Sequence, residues 1–88
     1  LGLSFNQISD ISVLAKLTKL EVLYLHNNQI SDISALAKLT KLKELDLSEN
    51  QISDISALFE LKNLAYLYLD YEYDIESLES ALPNCSVN

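Results

Sequence analysis

The segment Leu23–Glu44 reads LYLHNNQISDISALAKLTKLKE, and the chain on either side of it repeats the same pattern. A step of 22 residues links Leu1, Leu23, Leu45 and Leu67, and the same step links Leu3, Leu25, Leu47 and Leu69. It continues through Asn6, Asn28 and Asn50, through Ile8, Ile30 and Ile52, and through Ile11, Ile33 and Ile55. Three leucine columns complete the unit: Leu14, Leu36 and Leu58, then Leu17, Leu39 and Leu61, then Leu20, Leu42 and Leu64. Self-similarity at a fixed period of this length marks a chain built from stacked units, none of which can bury its own apolar face alone.

Two hydrophobic periods alternate inside each unit. Around Leu23-Tyr24-Leu25 every second residue is a repeated leucine, which predicts a short half-buried strand. From Ile30 to Leu42 the apolar spacing is mostly three residues, which suits a 3₁₀ turn or a short strained helix. So short a return path leaves no room for a full crossover helix. Each unit is therefore one coil of a solenoid, with strands stacked in parallel about 4.8 Å apart. Eighty-eight residues make one small domain. Methionine and tryptophan are absent and glycine and proline occur once each, a composition that suits a repetitive core better than an irregular enzyme pocket.

The polar columns have structural roles in this scheme. Asn6, Asn28 and Asn50 fall where the strand turns inward, and a buried amide there can satisfy backbone groups without a sheet partner. Asp10, Asp32 and Asp54 each precede Ile-Ser and are expected to N-cap the back-side turn. The alternative, a carboxylate ladder holding calcium, lacks the glycine-rich loops of calcium-binding repeats.

The unit LxLxxNQISDIxxLxxLxxLxx resembles the 22-residue class of leucine-rich repeat found in bacterial internalins and related proteins, from Leu1 to roughly Tyr71. The resemblance implies an α/β fold: a right-handed leucine-rich-repeat solenoid with parallel strands on the concave face and short 3₁₀ or helical turns on the convex face. It also implies a protein partner docked on the concave side. A secreted or bacterial cell-surface location is favoured by the same resemblance, with a cytoplasmic one left open.

Both ends depart from the pattern. In the fourth coil the asparagine column becomes Glu72 and the isoleucine column lands on Asp74, while a shifted frame returns Ile75, Leu78, Ala81 and Val87 to apolar columns. Ile75–Leu82 has helical spacing and stops before Pro83. The whole chain, residues 1–88, reads as one leucine-rich-repeat domain, with regular coils over 1–70 and an atypical C-terminal capping coil over 71–88 that closes with a strand near Cys85–Val87. Cys85 is expected to be a small buried hydrophobe, although Asn84-Cys85-Ser86 formally matches a glycosylation acceptor. Leu1 begins in mid-strand, so an N-terminal cap is expected to be missing, and self-association through the uncapped first coil is expected of the chain as written.

The residues between the leucines form the concave face. Stacking aligns Val22, Glu44 and Tyr66; Gly2, Tyr24, Asp46 and Tyr68; Ser4, His26, Ser48 and Asp70; and a loop-side column of Phe5, Asn27, Glu49 and Tyr71. These columns vary where the core columns are nearly constant, as a binding surface would. Tyr24, His26, Glu44, Asp46, Tyr66, Tyr68 and Asp70 are the expected partner-binding residues, while Lys16, Lys19, Lys38 and Lys41 fall on the convex side or its edge. Tyrosine contributes a large flat contact area at low entropic cost. Carboxylates around it favour a protein partner with a basic surface. The competing reading is that these are ordinary exposed strand residues, tyrosine being a good strand former. A further alternative gives the chain no direct ligand and makes it an architectural spacer or regulatory arm of a larger protein.

Several classes are disfavoured. A net charge of −7 argues against nucleic acid and anionic membrane surfaces, which require a basic footprint. No apolar run approaches a membrane span. One cysteine cannot make an intramolecular disulfide, and one histidine far from it cannot build a zinc site, so no cofactor or metal is expected. His26, Ser48 and Asp70 share a column, but a hydrolase triad needs histidine between serine and acid, and here serine takes the middle strand. Glu44 and Asp46 sit on an open surface that does not exclude water. No enzymatic activity is expected.

Overall fold

Repetition of one sequence unit produces repetition of one backbone path. A computed structural model of the chain describes residues 1–70 and 72–88. Its strands are β1 (Val22–Tyr24), β2 (Glu44–Asp46), β3 (Tyr66–Tyr68) and β4 (Ser86–Val87), paired in parallel and in sequence order within one sheet. Between them the chain returns through 3₁₀ turns at Ser34–Lys38 and Ser56–Glu60, and a third such turn, Ser12–Lys16, precedes β1. Gly2 adds an isolated parallel bridge to Tyr24, which extends the sheet by the first coil.

The register follows the repeat. Val22 pairs with Glu44 and Glu44 with Tyr66, while Tyr24 pairs with Asp46 and Asp46 with Tyr68. The last step differs: Tyr66 pairs with Ser86 and Leu67 with Val87, a step of 20 residues. There the back side is a true helix, α1 (Ile75–Ala81), one residue shorter than its apolar spacing suggests. Asp74 caps it, accepting from Ser77 N at 3.1 Å and Ser77 Oγ at 2.6 Å. β4 likewise starts one residue later than expected, and Cys85 is buried just before it. Burial pushes the Cys85 thiol up from its ordinary value, which makes it a poor nucleophile.

The leucine columns form the core. Leu23, Leu45 and Leu67 are fully buried, as are Leu25 and Leu47 beside them, and Leu36 and Leu58 meet them from the back. Burying a leucine side chain contributes about 2 kcal/mol, so the stacked columns are the dominant favourable term. In the first coil the same columns are open on one side, and Leu1 and Leu17 remain 48% and 42% exposed.

Asparagine holds one coil to the next. Asn50 Oδ1 accepts from Ile30 N at 3.0 Å, and its Nδ2 donates to Leu25 O at 2.9 Å and Leu47 O at 3.1 Å. Asn28 repeats this one coil earlier, accepting from Ile8 N at 3.1 Å and donating to Leu3 O at 3.0 Å and Leu25 O at 3.1 Å. Asn6 is exposed and donates only within its own coil, to Leu3 O and Ser4 O.

The aspartate column acts one residue earlier than a formal N-cap. Asp10, Asp32 and Asp54 accept at 2.9 Å from Ser12 N, Ser34 N and Ser56 N, whereas the boundary residues of the 3₁₀ turns are Ile11, Ile33 and Ile55. A carboxylate reaching two residues ahead forms an Asx turn, and that reach suits the tight entry into a 3₁₀ turn better than an α-helical cap would. The serine backbone N–H first, and the serine hydroxyl second, hold all three carboxyls below the usual range. Slight desolvation opposes this in each, as do Asp10 acting on Asp32 and Asp32 acting on Asp54.

Asn50→Ala strands Ile30 N and Leu47 O inside the stack and leaves Leu25 O with Asn28 alone, and should lower the unfolding free energy by about 3 kcal/mol in urea titrations. Asn6→Ala, on an exposed amide, should cost no more than about 0.5 kcal/mol. The depressed carboxyls of Asp10, Asp32, Asp54 and Asp74 contribute stability that is present above the unfolded carboxyl pKa and lost as pH falls through the lower folded values. The melting temperature should therefore decline below about pH 4. Replacing Asp10, Asp32 and Asp54 by Asn, which still accepts the serine N–H, should flatten that decline in circular-dichroism melts.

Candidate functional site

With the leucines of β1–β3 turned inward, the residues between them emerge on the opposite side of the sheet. Tyr66 is 51% exposed and Tyr24 is 38% exposed; His26, Glu44, Asp46, Tyr68 and Asp70 are half-buried among their neighbours. Pairing sets Tyr24, Asp46 and Tyr68 side by side across three strands, with Glu44 and Tyr66 adjacent in the parallel row. The tyrosines therefore flank the two carboxylates of β2.

Hydrogen bonds divide these side chains into three groups. The Tyr24 hydroxyl donates to Glu44 Oε2, and chiefly for that reason the Tyr24 phenol is held above its ordinary value. Ser48 Oγ donates to Asp46 Oδ1 at 2.6 Å, and Ser48 N donates to the same oxygen at 3.0 Å. His26 Nδ1 lies 2.8 Å from Ser48 Oγ. Since the serine proton is committed to the carboxylate, Nδ1 carries the hydrogen and donates to Oγ. Asp70 stands apart: both its oxygens, at 3.1 Å, accept the backbone N–H of Glu49.

This geometry is the reverse of a nucleophile relay. A catalytic serine gives its proton to histidine, and the acid then orients that histidine. Here serine gives its proton to Asp46 and receives one from His26, and Asp70 touches neither. The network orders the face; it does not activate the hydroxyl. Among the described residues no cluster of three or more His, Cys, Asp or Glu could hold a metal ion. No helix of the described residues is long and apolar enough to cross a membrane.

Among the described residues no lysine forms an ion pair with the carboxylates of the face. Lys16 and Lys38 end the back-side turns, and Lys62 Nζ donates to Ala81 O. Lys43 pairs with Glu21 at 3.3 Å, the one ion pair among the described residues. Glu44 and Asp46 each use one oxygen in the contacts above, and no lysine reaches the other oxygen.

Phe5 was not among the expected binding residues, yet it belongs to the same surface. It is 72% exposed and meets His26 edge-on, with ring centroids 5.0 Å apart and planes at 82°. Phe5, Asn27 and Glu49 all adopt left-handed backbone, with φ of 59°, 57° and 57°. Asparagine accepts that conformation readily; phenylalanine and glutamate adopt it against about 1 kcal/mol. The repeat placed Phe5 in the loop-side column, but its backbone sign had no signal in its residue type. Tyr71, assigned to the same column, lies outside the described residues. Tyr73 is a further residue unforeseen from sequence: its hydroxyl donates to Ile52 O at 2.9 Å and ties the last coil to the preceding one.

Comparison with known proteins agrees with this architecture. The family model described as leucine rich repeats, two copies, matches residues 1–38 and 40–84. No curated protein matches the chain. The structure of internalin C2 from Listeria monocytogenes is similar over 98% of this chain and 38% of its own, with 40% identity and a TM-score of 0.84. A leucine-rich-repeat protein from Leptospira interrogans is similar over 98% of this chain and 24% of its own, with 31% identity and a TM-score of 0.82. The chain thus spans well under half the length of either. With the family pattern running through nearly every coil, the chain belongs to the leucine-rich-repeat family, and its repeats are of the bacterial internalin-like kind.

Proposed function

We propose that the chain is a non-catalytic recognition module that docks a protein partner on its concave face through Tyr24, His26, Glu44, Asp46, Tyr66, Tyr68 and Asp70. Leucine-rich-repeat domains are in general protein-interaction modules, which supplies the class of activity. The observation that carries the specific face is the adjacency of exposed tyrosines and unneutralised carboxylates on one rigid sheet. Tyrosine anchors interfaces cheaply because few rotamers must be frozen. Carboxylates without internal cations favour a basic partner and accelerate encounter with it. The acidic balance of the chain disfavours nucleic acid as that partner. A bacterial surface or secreted setting rests on the internalin-like resemblance.

The face is tested by photo-crosslinking from a probe at Ser48 in the wild-type background and in a Tyr24→Ala, Tyr66→Ala, Tyr68→Ala variant. The triple variant should lose the crosslinked protein partner while its unfolding free energy changes by about 1.5 kcal/mol at most, the scale of three surface substitutions. Association should also slow as salt rises. Retained capture by the triple variant would refute the docking face. If deleting one repeat alters function while the concave substitutions do not, the chain is a spacer.

A further inference from the structure

The concave face has a centre, and its chemistry is narrower than a general acidic patch. On β2, Glu44 and Asp46 project to the same side, two residues apart. Each carboxylate is held by one oxygen: Glu44 Oε2 accepts from Tyr24, and Asp46 Oδ1 accepts from Ser48 N and Ser48 Oγ. The other oxygens, Glu44 Oε1 and Asp46 Oδ2, have no hydrogen-bond partner among the described residues. Fixed by one oxygen and open at the other, both groups are oriented acceptors. Asp70 differs, because the Glu49 N–H occupies both its oxygens.

Aromatic rings stand on both sides of this pair. Tyr24 on β1 and Tyr68 on β3 are register neighbours of Asp46, and Tyr66 on β3 is the register neighbour of Glu44. Tyr24 leans over β2 to reach Glu44, and Tyr66 and Tyr68 border the pair from β3, so the rings stand beside the two carboxylates. The chain contains no arginine, and its concave carboxylates have no lysine partner. Charge complementarity therefore has to come from the ligand.

We propose that this pair of carboxylates takes the guanidinium group of an arginine on the partner protein, seated over Glu44 and Asp46 beside Tyr24, Tyr66 and Tyr68. A guanidinium is planar, offers five N–H donors in a fixed fork and stacks on aromatic faces. Two oriented carboxylate oxygens between tyrosines match that set of properties. An ammonium supplies charge but neither the plane nor the fork, so lysine should fit less well. The proposal rests on the concave docking face and names its central contact.

Titration of the isotope-labelled 88-residue chain with N-acetyl-arginine amide, followed by nuclear magnetic resonance, tests it. Saturable shifts should centre on Tyr24, Tyr66 and Tyr68, with millimolar affinity. The lysine amide should bind several-fold more weakly, and the neutral citrulline amide should leave these signals unmoved. A Glu44→Gln, Asp46→Asn variant keeps hydrogen-bond acceptors for Tyr24 and Ser48, and dispersed amide signals would verify its fold. That variant should lose tenfold or more in arginine affinity, while Asp10→Asn, Asp32→Asn on the back side should lose none. Equal response to citrulline, equal binding of lysine, or equal weakening by the two double variants overturns the arginine contact. If crosslinking to the partner stays tyrosine-dependent in that event, the docking face survives without this contact; if both fail, the face itself falls.

Discussion

Beyond β1 and β2 the backbone turns inward and leaves N–H and C=O groups that sheet pairing does not reach. Asn28 and Asn50 meet those groups from inside the stack, each amide joining its own coil to the one before it. The constraint is severe because the site is dry: an unpaired backbone group there costs as much as a buried leucine gains. An amide of this length, donating and accepting in fixed directions, also sets the spacing and offset of neighbouring coils. The leucine columns interlock at that same offset, so the polar ladder and the apolar core specify one stacking together.

A fixed offset has a consequence on the outside of the sheet. Residue 24 must lie beside residue 46, and residue 46 beside residue 68, whatever their side chains are. Packing dictates nothing about those positions, so they are free to carry chemistry, and here they carry tyrosines and carboxylates. Where the asparagine ladder ends, at Glu72, the backbone pairing also changes hands. Phe5 N and Asn27 N donate to the carbonyls of the next coil, but Glu49 N donates to the side chain of Asp70. A carboxylate takes over from a carbonyl just as the chain leaves the repeat, and the last coil then closes with a helix and a step of 20 residues.

The repeat was legible from sequence because it is redundant: strand, 3₁₀ turn and leucine positions recur from coil to coil, so no single residue has to be read correctly. The register was legible for the same reason, and with it the set of residues sharing the concave face. What the sequence did not disclose depends on local geometry that the repeat does not encode. The aspartate column was placed correctly, but its reach of two residues to serine follows from the tightness of a 3₁₀ entry. The left-handed backbone at Phe5, Asn27 and Glu49 is imposed by the turn into the ladder, and only Asn27 is a residue type that advertises it. The links from Tyr24 to Glu44, and from His26 through Ser48 to Asp46, require side-chain directions that alignment in columns leaves open.

Those links bear on what such a surface can do. An open sheet face has water on one side and does not enclose what it meets. It can supply rigidity. Each acidic side chain at the centre of this face is tied by one oxygen to a neighbour on a stiff backbone, so its freedom is already spent before a partner arrives. Freezing a side chain at an interface costs about 1 kcal/mol, and prior ordering removes that cost from association. Phe5 fits the same logic from the rim: a large apolar ring held in disfavoured backbone, exposed, and braced against His26 gains little for the fold. Side chains kept ordered and exposed at some expense of stability are what the proposed docking of a basic protein partner would draw on.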